Sequence, residues 1–222
     1  MQNIKELKKL LSDYFTFSRH GLECLSYFIF GMLIVHTVNL SKIANSCGSP
    51  AKTTSIYKRF QRFIKHLKFK PEQLFKMIES VFKFHGKLTL CLDRTNWKIG
   101  KVHINYLVIS IAYDGVAIPL IWSLLPDKKC GNSDFEDRRR LFDRLLKFID
   151  ASRIEVLLAA REFLSADWVA YLKSHGIPFI IRAKENLIVR SSKGNKVSLK
   201  TVFKGVPKGK TLHLAHERDL LG

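Results

Sequence analysis

Asp114 and Gly115 stand between two apolar runs, VHINYLVISIAY before them and VAIPLIWSLLP after. An Asp-Gly pair in that setting predicts a tight hairpin, because the favoured two-residue turn needs positive φ at both central positions. A third β-rich segment, KLTLCLDRTNWKIG, precedes them and is set off by Gly100 and Lys101. Helical spacing returns over 134–149, where Phe135, Leu141, Phe142, Leu145, Leu146 and Ile149 mark one apolar face. A strand at Ile154–Ala159, a helix over 164–175 and a strand over 178–183 follow. Three antiparallel strands and then alternating helix and strand predict a mixed α/β sheet with helices on its faces.

Upstream of Gly86 the pattern is helical and basic. The whole chain has 38 Lys and Arg against 19 Asp and Glu, a formal charge of +19. Such an excess favours a polyanionic partner, since each neutralised phosphate releases counterions. Charge alone fits ribosomal-type binding or a solvated basic surface equally well. Its distribution is more telling. Between Glu23 and Glu72 there is no acidic residue, while Lys42, Lys52, Lys58, Arg59, Arg62, Lys65, Lys68 and Lys70 fall there. A short helix over 40–44, a break over 45–50 and a second helix capped by Thr53 or Thr54 fit a helix-turn-helix. The second helix would bury Ile56, Phe60, Phe63, Ile64 and Leu67. Lys58, Arg59, Arg62 and Lys65 would lie opposite and touch phosphate, or simply face water. A further helix opens at Pro71, well placed for a helix start.

The chain of 222 residues can hold one good-sized domain and a smaller one. The four cysteines form no C-x-x-C pair, which argues against a zinc site and fits a reducing cytoplasm. None of the eight histidines has metal spacing; His213 and His216 lie three apart without a partner cluster. The opening MQNIKELKKLL is charged, unlike a secretory signal. The apolar run YFIFGMLIV is too short for a membrane span and reads as a buried helix, so no membrane partner is expected.

Several segments carry a resemblance in consistent order: LDRTNWKIG, a hairpin strand, IPLIWSLLPDKKCGNSDFEDR, LLAAREF and IPFIIRAKEN. Together they resemble insertion-sequence transposases of family four, DDE enzymes with a ribonuclease H-like core. The likeness runs over 88–186 and is weaker in the amino-terminal module. It implies three parts: an α-helical DNA-binding module over 1–85, a ribonuclease H-like core over 86–186, and the start of a β-rich insertion over 187–222. It also implies double-stranded DNA at element ends as partner, with a second copy or a full-length transposase beside it. Mg²⁺ or Mn²⁺ would be the cofactor, serving phosphodiester cleavage and strand transfer.

In that family the first Asp of the metal site lies in the LDRT-like string, which is Asp93 here. The second lies in an LLADREF-like string, where this chain has Ala160. The third, a Glu after a Tyr-x-x-Arg pattern, finds no match before Gly222. The expectation is therefore a truncated copy that no longer cleaves, since one carboxylate cannot fix two metals. Glu162 is a poor substitute for the missing second Asp; Asp167 could approach from the next helix. Thr95 and Asn96 could orient Asp93, or only close a strand. Trp97 and Trp122 are expected in the core rather than stacked on a base. Arg182 and Lys184, at a strand's carboxyl end, are candidate phosphate contacts. The segments LIVR, KVSLKTV and TLHLAHE read as strands. A regulator that binds element ends without enzymatic activity is the alternative function, and a decayed reading frame the dullest.

Overall fold

The computed structural model describes residues 2–68, 70–125, 133–191, 194–213 and 220–221. The chain divides into two compact units, Met1–Lys83 and Phe84–Gly222.

The first unit is helical: α1 (Gln2–Tyr14), α2 (Arg19–Val35), α3 (Leu40–Ser46), α4 (Thr53–His66) and α5 (Pro71–Phe82). Its ends follow local chemistry. Ser18 caps α2, and the Asn39 side chain accepts from the Ser41 and Lys42 amides at the start of α3. Pro71 occupies the first turn of α5, where a missing N–H costs nothing. The cap expected at Thr53 is not made. Lys52 holds the cap position without a side-chain bond, and the Thr53 hydroxyl instead donates to Asn45 Oδ1 at 3.2 Å. That bond ties α4 back to α3 across the turn.

Cys24, Ile43, Ala44, Cys47, Ile56 and Phe60 form the buried cluster joining α2, α3 and α4. Gly31 lets α2 and α3 approach closely: a Cβ there would lie 2.8 Å from Ile43 Cγ2 and 3.0 Å from the Ile43 carbonyl oxygen. The run YFIFGMLIV is only half-buried, with Leu33 and Ile34 exposed at the end of α2. Among the described residues no single helix is long and apolar enough to cross a membrane.

The second unit centres on five strands: β1 (Leu88–Ile99), β2 (Val102–Tyr113), β3 (Val116–Leu124), β4 (Ile154–Ala159) and β5 (Phe179–Ile181). Their order across the sheet is β3-β2-β1-β4-β5. The first three are antiparallel, while β4 and β5 run parallel to β1 and to each other. This mixed sheet is consistent with the ribonuclease H-like expectation. Asp114 and Gly115, with φ of 45° and 76°, form the two-residue turn that the Asp-Gly pair predicts.

The helices α6 (Phe135–Leu145) and α7 (Ala166–Ser174) are shorter than their apolar spacing suggests. Asp134 caps α6 in a reciprocal capping box with Asp137, and Ser165 caps α7. The core holds Leu90, Leu92, Leu107, Ile109 and Ile111 of the sheet with Leu141, Phe142, Leu145, Trp168 and Leu172 of the helices. A bulge opposite Ile109 and Ser110 lets Leu120 and Ile121, adjacent in β3, both be buried.

A smaller sheet joins β6 (Ile188–Arg190) to β7 (Lys196–Ser198) and β8 (Leu220–Leu221). The stretch KVSLKTV is not one strand. Ser198 accepts from the Thr201 amide and starts a short helix, α8 (Leu199–Val202). The segment TLHLAHE lies mostly outside the described residues; 211–213 are not in a strand.

Candidate functional site

Side chains alternate along a strand, so β1 presents Cys91, Asp93, Thr95 and Trp97 on one face and Leu90, Leu92 and Arg94 on the other. The second set faces the core. The first lines an open groove of about 790 Å³, together with Tyr106, Val108, Ser110, Ala117, Pro119, Trp122, Leu158 and Ala160. Leu92 pairs with Ala159, the last residue of β4. Asp93 and Ala160 are therefore the next residues along two neighbouring parallel strands, and both reach the groove. Beyond that point β1 and β2 continue as a hairpin without β4 beside them.

Asp93 is exposed, and its Oδ1 accepts a hydrogen bond of 2.7 Å from the Arg94 amide. Cys91, two residues earlier on the same face, has its thiol pKa raised by burial and then by the Asp93 charge. Ala160, beside Asp93, brings only a methyl group to the groove. Among the described residues, no group of three or more His, Cys, Asp or Glu is placed to hold a metal ion. Among the described residues the donor set does not fit a two-metal centre.

Glu162 does not fill the gap. The chain leaves β4 into a 3₁₀ turn at Arg161–Phe163, and Glu162 meets Arg94 on the core side of β1. Asp167 is likewise engaged elsewhere, close enough to Arg138 to act on its charge. Arg138 is buried on α6. It donates to the Asp134 carbonyl at 2.9 Å and the Phe163 carbonyl at 2.7 Å, and lies 5.7 Å from the Trp168 ring centre. It thereby pins the turn that follows Ala160. The sequence marks Arg138 only as a candidate for burial, since it falls within the apolar stripe of Phe135, Leu141 and Phe142, and gives no sign of its partner Phe163.

Trp97 and Trp122 correct the expectation of burial, being 57% and 37% exposed. Trp97 lies on the hairpin beyond β4 and packs edge-on against Tyr106, with ring centres 6.1 Å apart. Thr95 lines the groove with Asp93; Asn96 is exposed and is not among the lining residues.

In the helical unit, Lys58, Arg59, Arg62 and Lys65 are all exposed along α4, while Ile56 and Phe60 are buried. Asp93 and these four cations belong to different units. Arg182 follows β5 and its amide donates to the Ala159 carbonyl at 3.1 Å, next to Ala160 in the chain. Neither Arg182 nor Lys184 lines the Asp93 groove. Lys184 instead borders a separate concavity of about 530 Å³ with Glu185, Leu199, Lys200, Phe203 and Lys204.

No family model matches the chain, and no curated protein matches it. Among solved structures it is similar to the HTLV-2 integrase catalytic core domain in complex with magnesium, in a trimeric form. The identity is 15% and the TM-score 0.31, over 45% of this chain and 62% of that one, less than two thirds of the integrase core.

Proposed function

We propose that this chain is a double-stranded-DNA-binding protein of transposase descent that no longer cleaves DNA. The reading rests on one observation above the others: Lys58, Arg62 and Lys65 form an exposed cationic face on α4 opposite buried Ile56 and Phe60, with Arg59 exposed at its edge. A helix anchored on one side and cationic on the other suits a groove between phosphate strands. Arg182 is a further candidate phosphate contact. In the second unit, Asp93 beside Ala160 supports loss of the chemistry, because two-metal phosphoryl transfer needs several oxygen ligands. A protein that occupies element ends and leaves them uncut would regulate transposition, alone, as a homodimer or with a full-length partner.

Duplex-binding titrations of the full chain at several salt concentrations test the reading. Replacing all four α4 cations by Gln should lower the salt slope by up to about 3.6, or 0.9 for each phosphate no longer neutralised. Binding indifferent to salt would overturn it. Incubation with Mg²⁺ or Mn²⁺ should leave element-end duplexes intact, and nicking abolished by Asp93→Asn would overturn the claim of inactivity.

A further inference from the structure

Residues 182–210 hold nine Lys and Arg and one carboxylate, Glu185. The fold gathers three of these cations around one hollow. Lys184, just beyond β5, and Lys200 and Lys204, on and after α8, border the concavity of about 530 Å³. Glu185 lies there too, with its carboxylate 3.9 Å from Lys200 Nζ. Three cations against one anion leave the hollow positive. A long, exposed pair of that kind offers little competition to an incoming phosphate.

The hollow also has an aromatic wall. Phe203 lines it and is 37% exposed, while the Leu199 side chain supplies a further apolar surface. The backbone holding these side chains is fixed from both sides. The Leu199 and Lys200 amides donate to the carbonyls of Leu187 and Glu185 at 2.9 and 2.8 Å, so α8 is stapled to the segment after β5. Lysines around a concavity suit a phosphodiester backbone. An exposed ring within it suits the face of an unstacked base, and every base has such a face. A paired duplex keeps its bases stacked and has no use for the ring.

We infer that the concavity formed by Lys184, Lys200, Phe203 and Lys204 binds a single-stranded nucleic-acid segment, its phosphates on the lysines and a base against Phe203. This rests on the nucleic-acid-binding reading given above. It adds a second contact surface, in the other unit and for a different strand state.

The test is fluorescence anisotropy of the full chain with a labelled single-stranded 12-mer and with the matching duplex, each at several salt concentrations. Lys184→Gln, Lys200→Gln and Lys204→Gln together should reduce the single-strand salt slope by about 2, or 0.7 for each phosphate no longer neutralised. The same three changed to Arg should keep the slope. Phe203→Ala should weaken single-strand binding roughly 5- to 150-fold without altering the slope, and Phe203→Trp should retain it. The Gln variant of the four α4 cations serves as the control on duplex binding. Single-strand binding unchanged by both the Lys→Gln triple and Phe203→Ala overturns the inference and leaves the α4 reading standing. Duplex binding without single-strand binding does the same. A wild-type chain that binds neither strand form overturns both.

Discussion

Arg94 and Glu162, 68 residues apart, meet through two contacts, Nε to Oε1 at 3.4 Å and Nη2 to Oε2 at 3.3 Å. The pair sits on the core side of β1, while Asp93 faces the groove. It joins the end of β4 to β1 next to Asp93 and holds the only carboxylate of LLAAREF away from that groove. Their side chains are 14% and 26% exposed, so the charges are partly desolvated but still screened. Arg94→Met should cost about 1–3 kcal/mol by leaving Glu162 unpaired. Glu162→Gln should cost less, since Arg94 Nη1 also donates to Asn105 Oδ1 at 3.5 Å. Urea denaturation of both singles and the double checks the coupling; additive effects would refute it.

Ala160→Asp places a carboxylate on the groove beside Asp93. Two like charges on adjacent strands should destabilise the metal-free protein by about 1 kcal/mol and raise one carboxyl pKa. A divalent cation should reverse that cost, because binding to the folded state alone raises apparent stability. The expected outcome is a melting temperature several degrees higher in millimolar Mn²⁺ for the variant, with no such response in the wild type. Equal responses would mean that Asp93 and residue 160 do not converge.

Local chemistry made part of this architecture readable. Asp114-Gly115 specifies its own turn, and β-strand alternation puts Asp93 and Thr95 on the face opposite Leu90. Glu162 reaches the core side because a 3₁₀ turn replaces the strand after Ala159, which alternation does not foretell. Other features depend on partners far along the chain. Trp97 and Trp122 look like core residues, yet which face of a sheet the helices cover is decided by packing, and both lie on the open one. Thr53 has the chemistry of a cap but spends its hydroxyl on Asn45 across the turn. KVSLKTV alternates like a strand until Ser198 captures the Thr201 amide. The Asp93–Ala160 neighbourhood was visible as motif, whereas the Arg94–Glu162 and Arg138–Phe163 ties that frame it were not. They join residues 68 and 25 positions apart.

Gly31→Ala tests how the basic helix is held. Alanine is the better helix former by about 1 kcal/mol. Here its methyl would press against Ile43 Cγ2 at 2.8 Å, the Ile43 carbonyl oxygen at 3.0 Å and Cys47 Cβ at 3.1 Å. Two of those three atoms belong to backbone or to a side chain's first carbon, so they cannot rotate away. Overpacking of this kind costs roughly 1–3 kcal/mol. A net loss of up to about 2 kcal/mol in urea denaturation is expected and, on the proposed function, weaker duplex binding as α3 shifts under α4. A more stable variant would show that α2 and α3 have room between them.

Cys24 gives the helical unit an alkaline weakness. Burial, opposed by the nearby Arg59 charge, lifts its thiol from 9.0 to about 11. Below pH 9 the thiol is neutral whether the chain is folded or not, and the full stability is present. Between pH 9 and 11 the unfolded chain releases the proton while the folded one retains it, so stability falls as pH rises. The loss should be on the order of 2 kcal/mol across that window. Cys24→Ala lowers stability at every pH by emptying a site in the Ile43–Phe60 cluster. It should nevertheless flatten the curve between pH 9 and 11. Urea midpoints of both proteins across that range decide the matter, since parallel curves would mean that the Cys24 thiol ionises as readily inside the fold as outside it.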